Sequence, residues 1–299
     1  MKNRHSQRGS ILLAVLFLSG LLGIFAAIAA SVMHAAADSS RAFAETVRGD
    51  EAMRSAIEYI VARTGSSLAQ SRGVAVVGVG RTNVAVTVRE ETARIDLNRA
   101  EPEMLTNIFV QVGIPAESAR MYAARIADWR DEDDKVTGGL GAERGNYRAA
   151  GRTDGPRNGR FIHVAELALV LGISARAAAA VAPYVTVASG NDKINPMLAD
   201  PPVLAAIPGM TQQRVMEILE MRRRPGATFK SLQGSLTAVQ DFVTDEPAAA
   251  VRFEGRVQLS RASERRYEVL VSVVEGDTAP YRILAWDANP PDRVRSLPQ

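Results

Sequence analysis

Asp128, Asp131, Glu132, Asp133 and Asp134 crowd seven residues of this chain, and a Gly138-Gly139-Leu140-Gly141 stretch and Glu143 follow closely. Carboxylates this near one another repel unless a cation or arginines intervene. Oxygen-only ligands on a glycine-rich loop suit a hard ion, and calcium takes about six to eight of them with tolerant geometry. The stretch is not an EF-hand, because counting from Asp131 the sixth position is Val136 and the twelfth Ala142, where that loop needs Gly and Glu. The same residues also read as a solvated acidic helix end neutralised by Arg130, Lys135 and Arg144. Spacing alone leaves both readings open.

Other chemistries are poorly supplied. The 299 residues include no cysteine, which excludes a disulfide framework, a thiolate zinc site and a cysteine nucleophile together. Of three histidines, His5 and His34 lie in or beside the N-terminal segment, and His163 beside Phe161 and Ile162 reads as a packed or surface residue. No Gly-x-Ser-x-Gly nucleophile turn occurs. Gly78-x-Gly80 lacks the third glycine of a dinucleotide fingerprint and precedes a strand-like run, so it reads as a hairpin turn. The formal charge of +3 is carried by Lys2, Arg4 and Arg8, leaving the rest neutral. With 46% apolar and 23% charged residues, the chain is neither disordered nor a polytopic membrane protein.

The elements that must position the acidic cluster begin with Ile11 to Met33, an uncharged apolar run of length sufficient to cross a bilayer core of about 30 Å. Basic residues before it and Asp38 and Glu45 after it place the N-terminus on the cytoplasmic side. Ala35-Ala36-Ala37 would suit a cleaved signal, but such a signal's apolar part runs roughly 7–15 residues. Helical periodicity then continues through Phe43, Val47, Ile57, Ile60 and Val61 to about Leu68. Val74–Val79 and Asn83–Val88 read as a strand pair across a glycine turn. Residues 98–247 are rich in short helical segments, as one unit or as two, 98–185 and 193–247. Val257 to Ala285 alternates as three antiparallel strands, and 289–299 is a tail. Trp129 and Trp286 read as core anchors, and Asn98 and Asn195 as helix N-caps.

Gly9-Ser10-Ile11-Leu12-Leu13 resembles a type IV prepilin leader, cut after the glycine with the apolar helix retained. Most such proteins carry Glu at the fifth mature position, where this chain has Ala14; the first mature residue is Ser10 rather than Phe or Met. Lack of that glutamate, together with Ile95-Asp96-Leu97-Asn98, Asp128-Trp129-Arg130-Asp131, Gly141-Ala142-Glu143, Tyr147, Glu166-Leu167, Gly172 and Ile194-Asn195-Pro196, resembles the K-type minor pseudopilins of type II secretion systems, the general secretion pathway protein K family. Arg148 to Arg160 departs from that family's aromatic and lysine pattern.

The resemblance implies an α+β pilin-like fold in which a long N-terminal transmembrane helix packs on an antiparallel sheet interrupted by a large helical insertion. The divisions are 1–9 leader, 10–34 transmembrane helix, 35–97 helix and first strands, 98–247 insertion, 248–288 C-terminal strands and 289–299 tail. It implies a non-enzymatic protein of the inner membrane with its main domain in the periplasm, at the tip of a pseudopilus. Its partners would be I- and J-type minor pseudopilins, the pseudopilus shaft and the prepilin peptidase. It also implies calcium in the helical domain, with Asp131, Asp133, Asp134 and Glu143 as ligands and Asp128 beside them.

The runner-up is a membrane-tethered helix-hairpin-helix DNA-binding protein of the uptake type. Leu105 to Gly113-Ile114-Pro115, Leu167 to Gly172-Ile173-Ser174 and Leu204 to Gly209-Met210-Thr211 form a weak repeat resembling that module. The module needs a second glycine amide near a phosphate, and here that position is Pro115, Ser174 or Thr211. The neutral charge also supplies no basic footprint, and Arg222–Arg224 reads as a solvated last helical turn. The leader makes a direct prediction. Mass spectrometry of protein from its native host should find a mature chain starting at Ser10 with a methylated amine; a start near Asp38 would mean an ordinary signal peptide.

Overall fold

The computed structural model describes residues 6–64, 73–80, 82–260, 263–273 and 281–290. Most of the leader (1–5), the expected helical stretch 65–68 and the tail from 291 lie outside them. Helix α1 (Ser6–Thr64) runs 59 residues, roughly 90 Å, with Gly9 and Ser10 in its first two turns. Its apolar first half, including Leu13, Phe17 and Phe25, is exposed and packs on none of the described residues. Among the described residues it is the one helix long and apolar enough to cross a membrane.

The second half of α1 covers a five-stranded antiparallel sheet built from β1 (Gly73–Val79), β2 (Thr82–Glu90), β5 (Val251–Gln258), β6 (Glu264–Val273) and β7 (Tyr281–Ala288), in the order β1-β2-β5-β6-β7. Gly80, with φ at +58°, turns the β1–β2 hairpin, a conformation that costs glycine nothing. Period-two alternation points Val84, Val86, Phe253, Val257, Tyr267 and Val269 at the helix, where they bury Met53, Ala56, Ile57, Ile60 and Val61. Helix and sheet come close because Gly255 leaves room for the Met53 thioether, which a Cβ there would strike. A Cβ at Gly49 would likewise strike the Tyr267 hydroxyl, which donates to Asp50 Oδ1 at 2.8 Å. Trp286 is only half-buried: it meets Tyr267 edge-on and carries the Arg54 guanidinium 4.9 Å above its ring.

Strands β2 and β5 are sheet neighbours, with Glu90 opposite Val251, so all of residues 91–250 forms the connection of one hairpin. Two short strands, β3 (Ile95–Asp96) and β4 (Val185–Thr186), pair in parallel inside it. Around them lie α2 (Pro102–Gln111), α3 (Ala116–Arg130), α4 (Arg144–Ala149), α5 (Ala175–Val181), α6 (Pro201–Ala206), α7 (Gln212–Arg222) and α8 (Phe229–Leu236). One core runs from Ile95 to Val243, so 98–185 and 193–247 share a single hydrophobic interior instead of forming two.

The repeated glycines punctuate this interior. Gly113 at φ +87° ends α2 in a Schellman motif, with Ile114 N–H on Phe109 O and Gly113 N–H on Val110 O. Gly172 and Gly209 turn the chain at φ +81° and +75° before α5 and α7. The positions that follow serve as N-caps: Ser174 Oγ accepts from Ala177 N and Thr211 Oγ1 from Arg214 N. At the other end of α7, Arg222 bonds the Pro196 and Ala199 carbonyls, so the last turn is not simply solvated.

Asn98 and Asn195 are not helix N-caps. The Asn98 amide bridges segments, donating to Phe161 O and Val187 O and accepting from Phe161 N. The N-caps of α2 and α6 are Glu101 and Asp200. Asn195 instead closes an Asx turn, its Oδ1 accepting from Met197 N. Caps and Asx turns use the same donor–acceptor pattern, and proline at 102 and 201 starts the helices later than the asparagines.

Buried charge ties the insertion to the sheet. Arg252 on β5 grips both carboxylate oxygens of Glu91 at 2.8 and 2.9 Å and also pairs with Glu268, while Glu91 accepts from the Thr186 hydroxyl of β4. Burial alone would raise the Glu91 carboxyl; the Arg252 guanidinium, helped by Arg94 and Thr186, overrides it and holds the pKa at about 2. A depressed carboxylate pKa adds stability that is full above the unfolded value of 4.5 and is lost as pH falls toward 2. Thermal melts of the full chain in detergent should therefore drop across that window. Glu91→Gln should start lower, by roughly 3 kcal/mol for a buried guanidinium short of a charge partner, and vary less with pH.

Candidate cation site

Three local structures converge beside the C-terminus of α3. Helix α3 buries Ile126 and Trp129 against the insertion core, which turns Asp128 inward and leaves Asp131 as the C-cap. The chain then loops through Asp133 and a 3-10 turn at Thr137–Gly139 and reaches Glu143, the N-cap of α4. Fully buried Tyr147 anchors α4, its hydroxyl accepting from Leu171 N at 3.0 Å.

This path brings Asp131, Asp133 and Glu143 together, with one carboxylate oxygen from each lying within 4.8 Å of the others. Asp128 closes the loop instead, since both its oxygens accept from Thr137 N, at 3.1 and 3.3 Å. Gly141 is required beside it, because a Cβ there would strike the Asp128 carboxylate. Asp134 is exposed and stands outside the three-carboxylate group, acting on it only through its charge.

The expected neutralising cations are committed elsewhere or stand apart. Arg130 donates to Leu97 O at 2.6 Å and Ala100 O at 2.9 Å. Lys135 contributes only its backbone N–H, to Asp133 Oδ1 at 2.8 Å. Among the described residues no ion pair joins Arg130, Lys135 or Arg144 to the cluster.

The result is negative charge that no ion pair among the described residues neutralises, offset only at a distance by Arg130. Glu143 is 4% exposed; its carboxylate leans toward Asn146 N–H in a capping box, yet neither oxygen completes a hydrogen bond. Burial, then repulsion from Asp128, Asp131, Asp134 and Asp133, pushes its pKa up to about 7. Asp131 is raised by burial and by Asp128 and Asp133, with Arg130 opposing, and its buried Oδ1 is also unpartnered. Orphaned buried acceptors are rare because each forfeits its hydration. An oxygen-only donor set aimed into one space fits a hard divalent cation.

Spacing along the chain does not single out Asn158, in the loop between α4 and the 3-10 turn at Val164–Leu169. Its Oδ1 is buried and unpartnered, and its Nδ2 donates to Asp133 O at 3.3 Å. The available signal was the Asn158-Gly159 pair, a turn dipeptide that tolerates positive φ. The neighbouring His163 is exposed and structural: its Nδ1 accepts from Ala165 N, capping the 3-10 turn.

Residues 80–190 match the family described as type II secretion system (T2SS), protein K. Among solved structures the chain is similar to one chain in the crystal structure of the GspK-GspI-GspJ complex from the enterotoxigenic Escherichia coli type 2 secretion system. The two share 17% identity over 84% of this chain and 99% of that one, with a TM-score of 0.60, which establishes a common fold. No curated protein matches the chain.

Proposed function

We infer that this chain, whose residues 80–190 match the type II secretion system protein K family, is a member of that family, a minor pseudopilin working at the tip of a periplasmic pseudopilus. Its role is structural, in protein transport, and it is anchored by a single membrane helix. The supporting observation is the architecture: an apolar helix continuous with a sheet-packed one, and a bulky helical domain inserted between adjacent strands β2 and β5. Lys2, Arg4 and Arg8 hold the N-terminus in the cytoplasm, which places the sheet and helical domain in the periplasm. Cleavage between Gly9 and Ser10 by a prepilin peptidase releases the amine that is methylated.

Ala14 carries the tip assignment. A carboxylate at mid-bilayer costs roughly 2.5 to 3.5 kcal/mol on insertion scales unless a neighbour's ammonium pairs with it. The first subunit of a filament has no neighbour above to supply that ammonium. Alanine avoids the charge, while the Ser10 amine remains free to receive a partner's glutamate from below. The helical domain further obstructs stacking of another subunit on top.

Partners that match are other minor pseudopilins, since the similar fold comes from a complex of three such chains. On α1 the face toward them is narrower than periodicity implies. Ile57 and Ile60 are buried against this chain's own sheet, and beyond the apolar first half the exposed large apolar residues of α1 are Phe43, Val47 and Tyr59. Cysteines placed at Phe43 or Val47 should cross-link to two or more different minor pseudopilins in native membranes and not to a second copy. Abundant self-cross-linking would identify a repeating shaft subunit and defeat the tip assignment.

The same reading includes calcium, held by Asp131, Asp133 and Glu143, which would clamp the end of α3, the following loop and the start of α4. Adding calcium to chelated full-length protein should raise its melting temperature, because a ligand of the folded state stabilises by about 2.7 kcal/mol at a hundredfold excess over its Kd. Replacing Asp131 and Asp133 together by Ala should abolish the response. Identical melting with chelator and with calcium would remove the metal and leave the secretion role intact.

A further inference from the structure

We propose that Asn158 is a fourth ligand of the cation site, and that the loop following α4, over residues 150–160, delivers its side-chain oxygen. The inference rests on the calcium reading above and goes beyond the three carboxylates that define that site.

Asn158 adopts φ +50°, a conformation open to asparagine but sparsely used by residues other than glycine. The turn is fixed from both sides. Gly159 N–H donates to Trp129 O at 3.3 Å, tying the loop to the end of α3, and Asn158 Nδ2 donates to Asp133 O at 3.3 Å. The amide is thus pinned against a residue of the three-carboxylate group. Its Oδ1, on the same carbon as Nδ2, is left buried with no partner.

Four buried oxygens have no partner: both of Glu143 and Oδ1 of Asp131, which belong to the three-carboxylate group, and Oδ1 of Asn158, whose amide is bonded to the third member, Asp133. They come from three different places, the end of α3, the start of α4 and the loop that follows α4, so no single turn accounts for the coincidence. A water molecule could donate only two hydrogens to four acceptors and would leave the carboxylate charge in place. A divalent cation accepts all four oxygens and offsets that charge, and calcium's tolerance for amide oxygens beside carboxylates fits the mixed set. An amide at this position adds coordination without adding to the repulsion already pressing on Glu143.

Calcium binding to the full chain in detergent micelles, measured by isothermal titration calorimetry, tests this. Asn158→Gly keeps the backbone conformation, since glycine adopts positive φ freely, and removes only the side chain. It should weaken calcium binding about tenfold or more, since even partners outside the first coordination sphere are worth roughly 10–100-fold in metal affinity, while its melting temperature in chelator stays at or above the parent's. Asn158→Ala, which removes the oxygen on a different backbone preference, should weaken binding likewise, and Asn158→Asp should restore it. Parent and Asn158→Gly binding calcium equally would overturn the role of Asn158 while leaving the carboxylate site standing. A parent chain that takes up no calcium would overturn both.

Discussion

Everything outside the membrane depends on one closure. Residues 91–250 leave the sheet beside Glu90 and return at Val251, which are paired across neighbouring strands, so the ends of a domain-sized insertion must stay within about 5 Å of one another. Holding ends together over that length costs roughly 4 kcal/mol of chain entropy beyond a constant. The neck answers with backbone bonds from Glu91 N to Ala250 O and from Asn195 N to Thr92 O, and with Ala248 N on the Glu90 carboxylate. Gly190 N on Asp96 and the Glu91–Arg252 pair add to them. Because these contacts close the gap, β2 and β5 pair as though a tight turn joined them, and the sheet and the insertion each keep an undivided core.

What could be read from the sequence followed how local the cause was. The alternation through Val84 and Val86 and through Val257 to Ile283 marked strands because side-chain period is a property of a few adjacent residues. Gly113, Gly172 and Gly209 stood out as a repeat for the same reason, each turning the chain shortly before a helix. Asn98 was misjudged because its partners at Phe161 and Val187 lie 63 and 89 residues away. Arg252 carried no local sign of its pairing with Glu91, 161 residues distant. The acidic cluster divides the same way: Asp131 and Asp133 stand out by spacing, whereas only the fold shows that Asp128 closes a loop, that Asp134 points to solvent and that Arg130 is spent on carbonyls.

That last diversion gives the cluster its character. An arginine next to an aspartate in sequence ordinarily offsets it, but α3 ends where Leu97 and Ala100 present carbonyls in need of donors, and the guanidinium goes there. The carboxylates it leaves behind are packed by the burial of Trp129 and Tyr147, two aromatic anchors on either side of the loop. Packing and polar satisfaction thus pull in opposite directions, and the raised Glu143 carboxyl registers the conflict.

The single helix from Ser6 to Thr64 has a mechanical consequence. It contains no proline, so no residue along it lacks the N–H that the helical ladder needs between the bilayer and the sheet. A displacement applied at the membrane end travels as along a stiff rod and arrives at the sheet as shear, spread over the interlocked contacts of Met53 with Gly255 and of Gly49 with Tyr267. A pull along the rod must slide these knobs past one another together, whereas peeling would part them in turn. The joint is strongest against force directed along the rod.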